Sequence, residues 1–313
     1  MTIDKKYLDQ FVNATEKAAY GASLYVGKKD KNAADKGAVD MMRNELNKIP
    51  MHGTVVIGEG EMDEAPMLFI GEKVGLKKDQ YLDIALDPLE GTNFVANNLP
   101  NAFSVLAVTE KGNLLAAPDT YMEKIAIGAN LPNKLVDLDN SVEKNIKLLS
   151  EAQNKKIDQI TACVLDRERH QKIITSLKKM GVKLKLISDG DVSGVISVID
   201  NDSPVDIYLG IGGGPEGVLA AAALSCFGAQ MQTRLVLNNE EEIRAKKMGI
   251  KDVKKKYNID EMVKGDVIFC ATGVTNGDLT DGIRIKNDSF IASTYVLHKD
   301  QKIFKKITNT HKK

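Results

Sequence analysis

Apolar and small side chains recur at helical spacing in two stretches near the start of the chain, residues 7–25 and 35–46. The period then changes, because residues 53–58 and 81–86 are short runs rich in apolar side chains that end at a glycine or at an Asp-Pro pair. We therefore expect two opening helices, followed by strands that carry acidic residues into loops.

The pattern predicts a different organisation for each half of the chain. Further strands at 103–108 and 114–117 would make the first half α+β. The polar stretch 130–154 indicates a boundary, so we expect domains at 1–155 and 156–313. The second half is typical of βαβ units and predicts an α/β half with a largely parallel sheet, whose ligand loops follow the strands. Its alternating strands and helices are predicted at 159–165, 170–180, 182–187, 192–199, 205–211 and 216–227.

Charge and composition exclude several kinds of partner. The 313 residues include 43 basic and 43 acidic side chains, so no general field attracts nucleic acid or an anionic membrane. Cys163, Cys226 and Cys270 are far apart and lack the spacing of a zinc site, which predicts small buried residues. The start of the chain lacks the apolar core of a signal peptide, and no apolar run reaches about 18 residues, so we expect a cytoplasmic protein.

An acidic turn, D-P-L-E-G-T, follows the second predicted strand, and its proline should end that strand's hydrogen-bonding ladder. The side chains of Asp87 and Glu90 and the carbonyl of Leu89 can then face one point, which suits a hard cation such as Mg²⁺ that substrate phosphate completes. Gly91 allows a tight turn, and Thr92 can cap the following helix. The same hexapeptide can also be an acidic turn without a ligand.

A second acidic segment, G-E-G-E, follows the first predicted strand and carries Glu59 and Glu61. Alone, it can be an exposed turn. Its strand points these acids the same way as the acidic turn, and Asp35 lies early in a predicted helix just before it. Clustered carboxylates repel one another unless cations neutralise them, so a shared site would hold metal, with two or three ions. The acids of that site would be Asp35, Glu59, Asp87 and Glu90.

The loop G-G-G-P-E-G, residues 212–217, lies between a predicted strand and a predicted helix. Its glycines permit close approach, its proline suits the start of a helix, and free N–H groups there favour a phosphate. The loop also matches the G-x-G-x-x-G pattern of dinucleotide-binding proteins, with Glu240 beyond a later strand. An oxidoreductase is therefore the rival hypothesis, although Glu216 would lie where the pyrophosphate binds.

Two shorter segments are candidates for sugar and phosphate contacts. The carboxylates of S-D-G-D at 188–191 could accept hydrogen bonds from sugar hydroxyls, or the segment could be a simple Asp-Gly turn. Arg167, Arg169 and His170 follow another strand and could bind a second phosphate, because guanidinium matches phosphate oxygens in a bidentate manner. Two arginines on a helix are otherwise surface charges.

Four segments together resemble the class II fructose-1,6-bisphosphatases, in the same order along nearly the whole chain. They are V-I-G-E-G-E-M-D-E-A-P-M-L at 56–68, I-A-L-D-P-L-E-G-T at 84–92, D-G-D at 189–191 and G-I-G-G-G-P-E-G-V at 210–218. The acidic turn also resembles the metal motif of the wider lithium-sensitive phosphatase superfamily, which includes inositol monophosphatases. Lys29 is a departure, because a small residue is expected there.

The resemblance implies a layered αβαβα sandwich of the sugar phosphatase type, a divalent cofactor, Mg²⁺ or Mn²⁺, and a homo-oligomer, either dimer or tetramer. The implied reaction is metal-dependent hydrolysis of the 1-phosphate of fructose 1,6-bisphosphate, which gives fructose 6-phosphate in gluconeogenesis. Three alternatives stay open: sedoheptulose 1,7-bisphosphate as a further substrate, an inositol-monophosphatase-like activity, and a sugar-phosphate-binding regulator without activity.

The resemblance also implies roles for individual residues. Glu216 would close the metal set formed by Asp35, Glu59, Asp87, Leu89 and Glu90. The candidate catalytic residues are Thr92, which would position the attacking water, with Asp35, Glu59 and Asp63. The implied substrate contacts are Glu90, Gly91, Thr92, Tyr121, Arg167, Glu168, Arg169, Asp189, Gly190, Asp191 and Gly213.

Overall fold

The computed structural model describes residues 2–58 and 68–313. The α-helices are α1 (Leu8–Ser23), α2 (Lys31–Leu46), α3 (Thr92–Ala96), α4 (Val142–Gln153), α5 (Gln171–Met180), α6 (Asp191–Ile196), α7 (Gly214–Ser225), α8 (Asn239–Lys247) and α9 (Ile259–Met262). Short 3₁₀ helices span Lys5–Tyr7, Ile157–Gln159 and Glu168–His170. Glu59, Glu61 and Asp63 lie outside the described residues, so their roles stay predictions.

The strands are numbered in chain order. They are β1 (His52–Ile57), β2 (Lys73–Val74), β3 (Tyr81–Glu90), β4 (Phe103–Glu110), β5 (Tyr121–Ile127), β6 (Thr161–Leu165), β7 (Lys183–Ile187), β8 (Ile207–Gly213), β9 (Gln230–Val236), β10 (Tyr257–Asn258), β11 (Ile268–Gly273), β12 (Arg284–Ile285), β13 (Ser289–His298) and β14 (Ile303–Lys312). Both predicted opening helices and the strands predicted at 53–58, 81–86 and 103–108 are confirmed.

The chain forms two compact units. Unit 1 consists of Met1–Leu115 and Val263–Lys313, and unit 2 is Ala116–Met262. This division differs from the expected boundary at 155, because strands β11 to β14 return to the sheet of unit 1. The polar stretch 130–154, which suggested the boundary, instead contains α4 and lies inside unit 2.

Unit 1 is built on a mixed sheet with the strand order β12-β13-β11-β4-β3-β1-β2, and β14 also pairs with β13. Strands β1 and β3 are parallel, while the other pairs in this sheet are antiparallel. Helices α1 and α2 cross where Gly21 and Gly37 meet: a Cβ on Gly21 would lie 2.2 Å from the Gly37 carbonyl oxygen. Only glycine permits this close approach, which brings α2 onto the core.

Unit 2 is built on a second mixed sheet with the order β10-β9-β5-β8-β6-β7. The six elements predicted for the second half are confirmed, and β6 is parallel to both β7 and β8. The expected largely parallel sheet is wrong, because β5 lies between β8 and β9 and pairs antiparallel with both. This strand comes from the half of the sequence that was assigned to the other domain.

Two details of unit 1 also differ from the prediction. The strand expected at 114–117 is reduced to an isolated bridge between Leu114 and Val263. Strand β3 does not end at Asp87 but continues through Pro88 to Glu90, and its register with β4 shifts between Asp87 and Glu90. Because proline has no N–H to donate, the ladder skips this position and resumes beyond it.

The fold class is confirmed as mixed α/β, with one mixed sheet in each unit. Among the described residues, no helix combines the length and the apolar character needed to cross a membrane.

Candidate active site

The acidic turn of unit 1 is a bulged strand end that leads directly into a helix. The Oδ1 of Asp87 accepts a hydrogen bond from the N–H of Leu89 at 2.9 Å, and Leu89 and Glu90 are both buried. Gly91 has φ 85° and is the N-cap of α3, so Thr92 is the first helical residue. The expectation that Thr92 caps this helix is therefore wrong, because the left-handed turn that glycine allows starts the helix instead.

Asp35 belongs to the same region of unit 1, because α2 packs against both β3 and α3. The loop before α2 is bound to α3 by hydrogen bonds from the N–H of Gly27 to the Val95 carbonyl (2.9 Å) and from the N–H of Lys29 to the Ala96 carbonyl (3.0 Å). The start of α2 is thus tied to the helix that Thr92 begins.

The glycine loop of unit 2 joins β8 to α7. Gly213 is the N-cap, and a Cβ on it would lie 1.9 Å from Oε2 of Glu216, so the carboxylate folds back onto the loop. In the described part of the chain, this Oε2 is buried and has no hydrogen-bond partner. Burial raises the pKa of the Glu216 carboxyl above its ordinary value; the charge of Lys124 opposes that rise and the charge of Asp191 adds to it.

Asp191 begins α6, directly after Gly190, which has φ 83°. Its carboxylate is buried and accepts hydrogen bonds from the ammonium of Lys124 and from the hydroxyl of Tyr208. Burial raises the pKa of Tyr208 well above its usual value, and the Asp191 charge adds to the rise, so the phenol remains a donor. A Cβ on Gly212 would lie 1.9 Å from Asp191 Oδ2, so this glycine makes room for the carboxylate.

The arginine turn after β6 is exposed, and its two arginines differ. Arg169 donates from Nε (3.0 Å) and Nη2 (2.8 Å) to the Ile211 carbonyl, and its guanidinium lies 4.8 Å above the ring of Tyr121. Arg167 has a looser partner, since its Nη2 is 4.0 Å from Asp189 Oδ1. The side chain of Glu168 between them is exposed. Arg169 is therefore held in one orientation before any ligand arrives.

His170 is buried and does not bind phosphate, so that part of the prediction is wrong. Its Nδ1 donates to the Leu165 carbonyl at 2.8 Å, and its Nε2 accepts from the N–H of Ile211 at 2.7 Å. Burial lowers the pKa of the ring, which keeps the neutral form that can do both. The two hydrogen bonds of His170 hold the end of β6, and hence the arginine turn, against β8.

The predicted residues thus fall into two groups, one in each unit. Unit 1 holds Asp35 and the acidic turn; unit 2 brings the glycine loop, Asp191 and the arginine turn around β8. Sequence reasoning missed Lys124 and Tyr208, which hold Asp191. A signal for Lys124 existed: it occupies an inward position of β5 between the buried Met122 and Ala126.

The donor chemistry of these residues fits a hard divalent cation. In unit 1, Asp35, Asp87 and Glu90 offer carboxylate oxygens. In unit 2, Glu216 offers a buried Oε2 that has no hydrogen-bond partner among the described residues. Within residues 2–58 and 68–313, no group of three or more His, Cys, Asp or Glu side chains lies close enough to hold a metal ion. Glu59 lies outside these residues, so its role as a metal ligand stays a prediction.

The fold and these loops define a mixed α/β protein with acidic and glycine-rich turns suited to a phosphorylated ligand. A family model described as "Bacterial fructose-1,6-bisphosphatase, glpX-encoded" matches residues 5–311. A relative from Synechococcus sp. (strain JA-2-3B'a(2-13)), named D-fructose 1,6-bisphosphatase class 2/sedoheptulose 1,7-bisphosphatase, is 40% identical over 99% of this chain and 97% of its own. The fructose-1,6-bisphosphatase class 2 of Haemophilus influenzae is 40% identical over 96% and 95%. The chain belongs to the bacterial class 2 fructose-1,6-bisphosphatase family, and membership of this family implies a divalent metal cofactor.

Solved structures with some likeness include an IMPase of Thermotoga maritima, with a TM-score of 0.37, 16% identity, and coverage of 62% of this chain and 73% of that one. The inositol monophosphatase from Anabaena (Nostoc) sp. has a TM-score of 0.34, 13% identity and coverage of 65% and 74%. Likenesses this low carry no argument about this chain.

The dinucleotide hypothesis is not favoured. In a dinucleotide-binding βαβ unit, the strand after the helix returns beside the strand before it. Here β9 follows α7, but β5 lies between β8 and β9 and is antiparallel to both. Family membership points the same way.

Proposed function

We propose that this chain hydrolyses the 1-phosphate of fructose 1,6-bisphosphate, giving fructose 6-phosphate and phosphate, in a reaction that needs Mg²⁺ or Mn²⁺. The match of nearly the whole chain to the bacterial fructose-1,6-bisphosphatase family is the observation that carries this proposal. We also propose that the enzyme acts in the cytoplasm, in gluconeogenesis, as a homo-dimer or tetramer.

The residues that would hold divalent ions are Asp35, Glu59, Asp87, the Leu89 carbonyl, Glu90 and Glu216. When bound, such ions supply Lewis-acid activation of water and charge stabilisation for the departing oxygen. The chain's own residues then orient the reactants. Thr92, half-buried at the first position of α3, would position the attacking water. Its hydroxyl is too weak an acid to act alone, so Asp35, Glu59 or Asp63 would accept the proton.

Unit 2 would bind the sugar and the second phosphate. Arg169 is already oriented by the Ile211 carbonyl and the Tyr121 ring, so little side-chain freedom remains to be lost when it meets a phosphate. Arg167 would move from Asp189 to the ligand. The remaining proposed contacts in unit 2 are Glu168, Asp189, Gly190, Asp191 and Gly213, and those in unit 1 are Glu90, Gly91 and Thr92.

The test is release of inorganic phosphate from fructose 1,6-bisphosphate by the purified protein, with Mg²⁺, with Mn²⁺ and with a chelator. Sedoheptulose 1,7-bisphosphate is assayed beside it, because the Synechococcus relative's name includes that substrate. Inositol 1-phosphate hydrolysis and NADH binding test the other candidates. Release that depends on metal and on the bisphosphate supports the proposal; tight NADH binding with no phosphate release would contradict it.

Two substitutions make the assay specific. Asp87→Asn should abolish metal-dependent phosphate release. Thr92→Ala should lower turnover strongly and change the affinity for the metal ion much less. Asp83→Asn is the matched control, because Asp83 lies on the same strand and accepts the Gly112 N–H at 2.6 Å, outside the proposed ligand set. Normal turnover in Thr92→Ala would remove the role proposed for that hydroxyl.

A further inference from the structure

Lys124 is a fully buried lysine that neither the metal ligands nor the substrate contacts account for. Its side chain is 1% exposed, on β5 of unit 2, with Met122 and Ala126 on the same face of the strand. Lysine is almost never buried without a partner, because removing its charge from water is costly. Its partner is Asp191, whose carboxylate binds the ammonium directly.

The ammonium of Lys124 lies between the starts of two helices. Asp191 is the first residue of α6. On the other side of the ammonium is Gly217, in the first turn of α7: a Cβ added to Gly217 would lie 3.1 Å from Cε and 3.6 Å from Nζ of Lys124. Helix α7 packs against both α6 and β5. The residue before Gly217 is Glu216, so the lysine supports the turn of helix that presents this carboxylate.

The two carboxylates near Lys124 differ in their hydrogen-bond partners. Asp191 has both oxygens occupied, by Lys124 and by Tyr208, whereas Oε2 of Glu216 has no hydrogen-bond partner anywhere in the described chain. Two acids and one ammonium leave a net negative charge in a buried space. This arrangement holds one acid rigidly and leaves an oxygen of the other available to a cation.

We propose that Lys124 is a positioning residue of the hydrolysis: its ammonium locks Asp191 to β5 and supports the first turn of α7, so that the Glu216 carboxylate is presented for a divalent cation. This rests on the proposed function. Lys124 itself does not touch the reactants, because its ammonium is buried and already bound to Asp191. Tyr208 is a weaker part of the same lock, since its hydroxyl holds the other Asp191 oxygen without supplying charge.

Direct Mn²⁺ binding, measured without substrate by the loss of the free-ion EPR signal, tests this proposal. Lys124→Met keeps an unbranched apolar stem, one atom shorter, and removes the charge. If Lys124 positions Glu216, Mn²⁺ affinity should fall by about tenfold or more, with an intermediate loss in Tyr208→Phe and partial recovery in Lys124→Arg. If the lysine only repels cations, removing its charge should tighten Mn²⁺ binding, which would overturn the proposal.

Kinetics on fructose 1,6-bisphosphate supply the second measurement. In Lys124→Met the Mn²⁺ concentration for half-maximal activity should rise and kcat should fall by about tenfold or more. KM should rise as well, because Lys124 also holds Asp191, which is a proposed substrate contact. Lys155→Met is the matched control: it breaks another Lys–Asp pair of unit 2, with Asp206. It should leave all three parameters within about twofold, and equal losses in both variants would contradict a positioning role.

Folding is controlled by the double variant Lys124→Met/Asp191→Asn, which removes both charges and leaves no buried ion unpaired. Weak Mn²⁺ binding in a folded double variant supports positioning, and normal Mn²⁺ binding overturns it. The two proposals fail separately. If the wild-type protein releases no phosphate but binds Mn²⁺ with an affinity that falls in Lys124→Met, only the proposed function is refuted. If the protein is active and Mn²⁺ binding is unchanged in Lys124→Met, only the positioning role is refuted.

Discussion

Each unit contains a glutamate whose carboxylate is turned away from solvent. Among the described residues, only one of the two has hydrogen-bond partners for both carboxylate oxygens. Glu16, on α1 of unit 1, is fully buried, and its Oε1 accepts hydrogen bonds from Thr294 Oγ1 (2.9 Å) and Asn309 Nδ2 (3.0 Å). Its Oε2 is bonded to Nε2 of His311 on the terminal strand. Glu216, on α7 of unit 2, has a buried Oε2 without any such partner in the described chain.

This difference in hydrogen bonding distinguishes a glutamate that stabilises the fold from one that we propose binds a ligand. Buried polar atoms in folded proteins nearly always have partners, because an unpaired one loses its water without compensation. Glu16 meets this rule with donors from α1's neighbours β13 and β14, so it joins the start of the chain to its last strand. Among the described residues, Glu216 Oε2 departs from this rule, and the role we propose for Glu216 as a metal ligand would account for that. The following predictions test this contrast.

The largest effect is expected for Glu216→Gln, which keeps the shape of the side chain and removes its charge. If the carboxylate is a metal ligand, kcat/KM should fall by about 100-fold or more, because the amide cannot replace a charged ligand. Thermal stability should stay the same or rise, since a buried unpaired charge disappears. Phosphate-release kinetics and thermal unfolding measure the two effects. Full activity with lowered stability would make Glu216 a scaffold residue like Glu16.

Glu16→Gln is the matched substitution in unit 1, and the expected effect is reversed. Loss of the charge weakens the bonds from Thr294, Asn309 and His311, which should lower the free energy of unfolding by about 2 kcal/mol. Turnover of the folded protein should be unchanged. Urea unfolding and kcat measure this. A strong loss of turnover at normal stability would erase the distinction between the two glutamates.

The pH dependence of unfolding is expected to report His170 of unit 2. Burial lowers its pKa in the folded protein, so the unfolded chain binds a proton first as pH falls below about 6.5. The hydrogen bonds of neutral His170 therefore contribute their full stabilisation above that pH. This contribution to the free energy of unfolding is lost as pH falls toward the lower native pKa, by up to about 1.4 kcal/mol for each unit by which the two pKa values differ. Urea midpoints between pH 5 and 8, on His170→Gln and the control His52→Gln, measure this. If His170→Gln leaves the pH profile of the urea midpoint unaltered, the pH dependence arises from another group.

The smallest effect is expected at Lys29, in the loop that ties α2 to α3 in unit 1. Its φ of 61° is in the left-handed region that glycine prefers, and its ammonium donates to Asn97 Oδ1 at 2.7 Å. Lys29→Gly and Lys29→Ala both lose that exposed hydrogen bond, but only glycine relieves the backbone. The glycine variant should therefore be more stable than the alanine variant by about 1 kcal/mol in urea unfolding. Equal stability would mean that the turn carries no strain.

Local patterns predicted much of the fold and the residue types of the site. Helical spacing identified α1 and α2, and the strand and helix periods of the second half correspond to β6 through α7. The D-P-L-E-G-T turn and the glycine loop also stand out without tertiary information, because glycine, proline and clustered acids impose local backbone and charge constraints. Arg169 was named as a candidate, but its orientation by the Ile211 carbonyl depends on a residue 42 positions away.

The sequence by itself determined α1, α2, the strands β1, β3 and β4, and the elements from β6 to α7, together with the turns that hold acids and glycines, since these depend on neighbours within a few residues. Only the tertiary structure decided that β5 lies antiparallel between β8 and β9, that β11 to β14 return to the first sheet, and that Lys124 meets Asp191 across 67 residues. Strand pairing and the burial of charge depend on partners that are distant along the chain. Local spacing contains no information about which partner is present, and this is why the sequence did not show that Glu16 has hydrogen-bond partners from two distant strands.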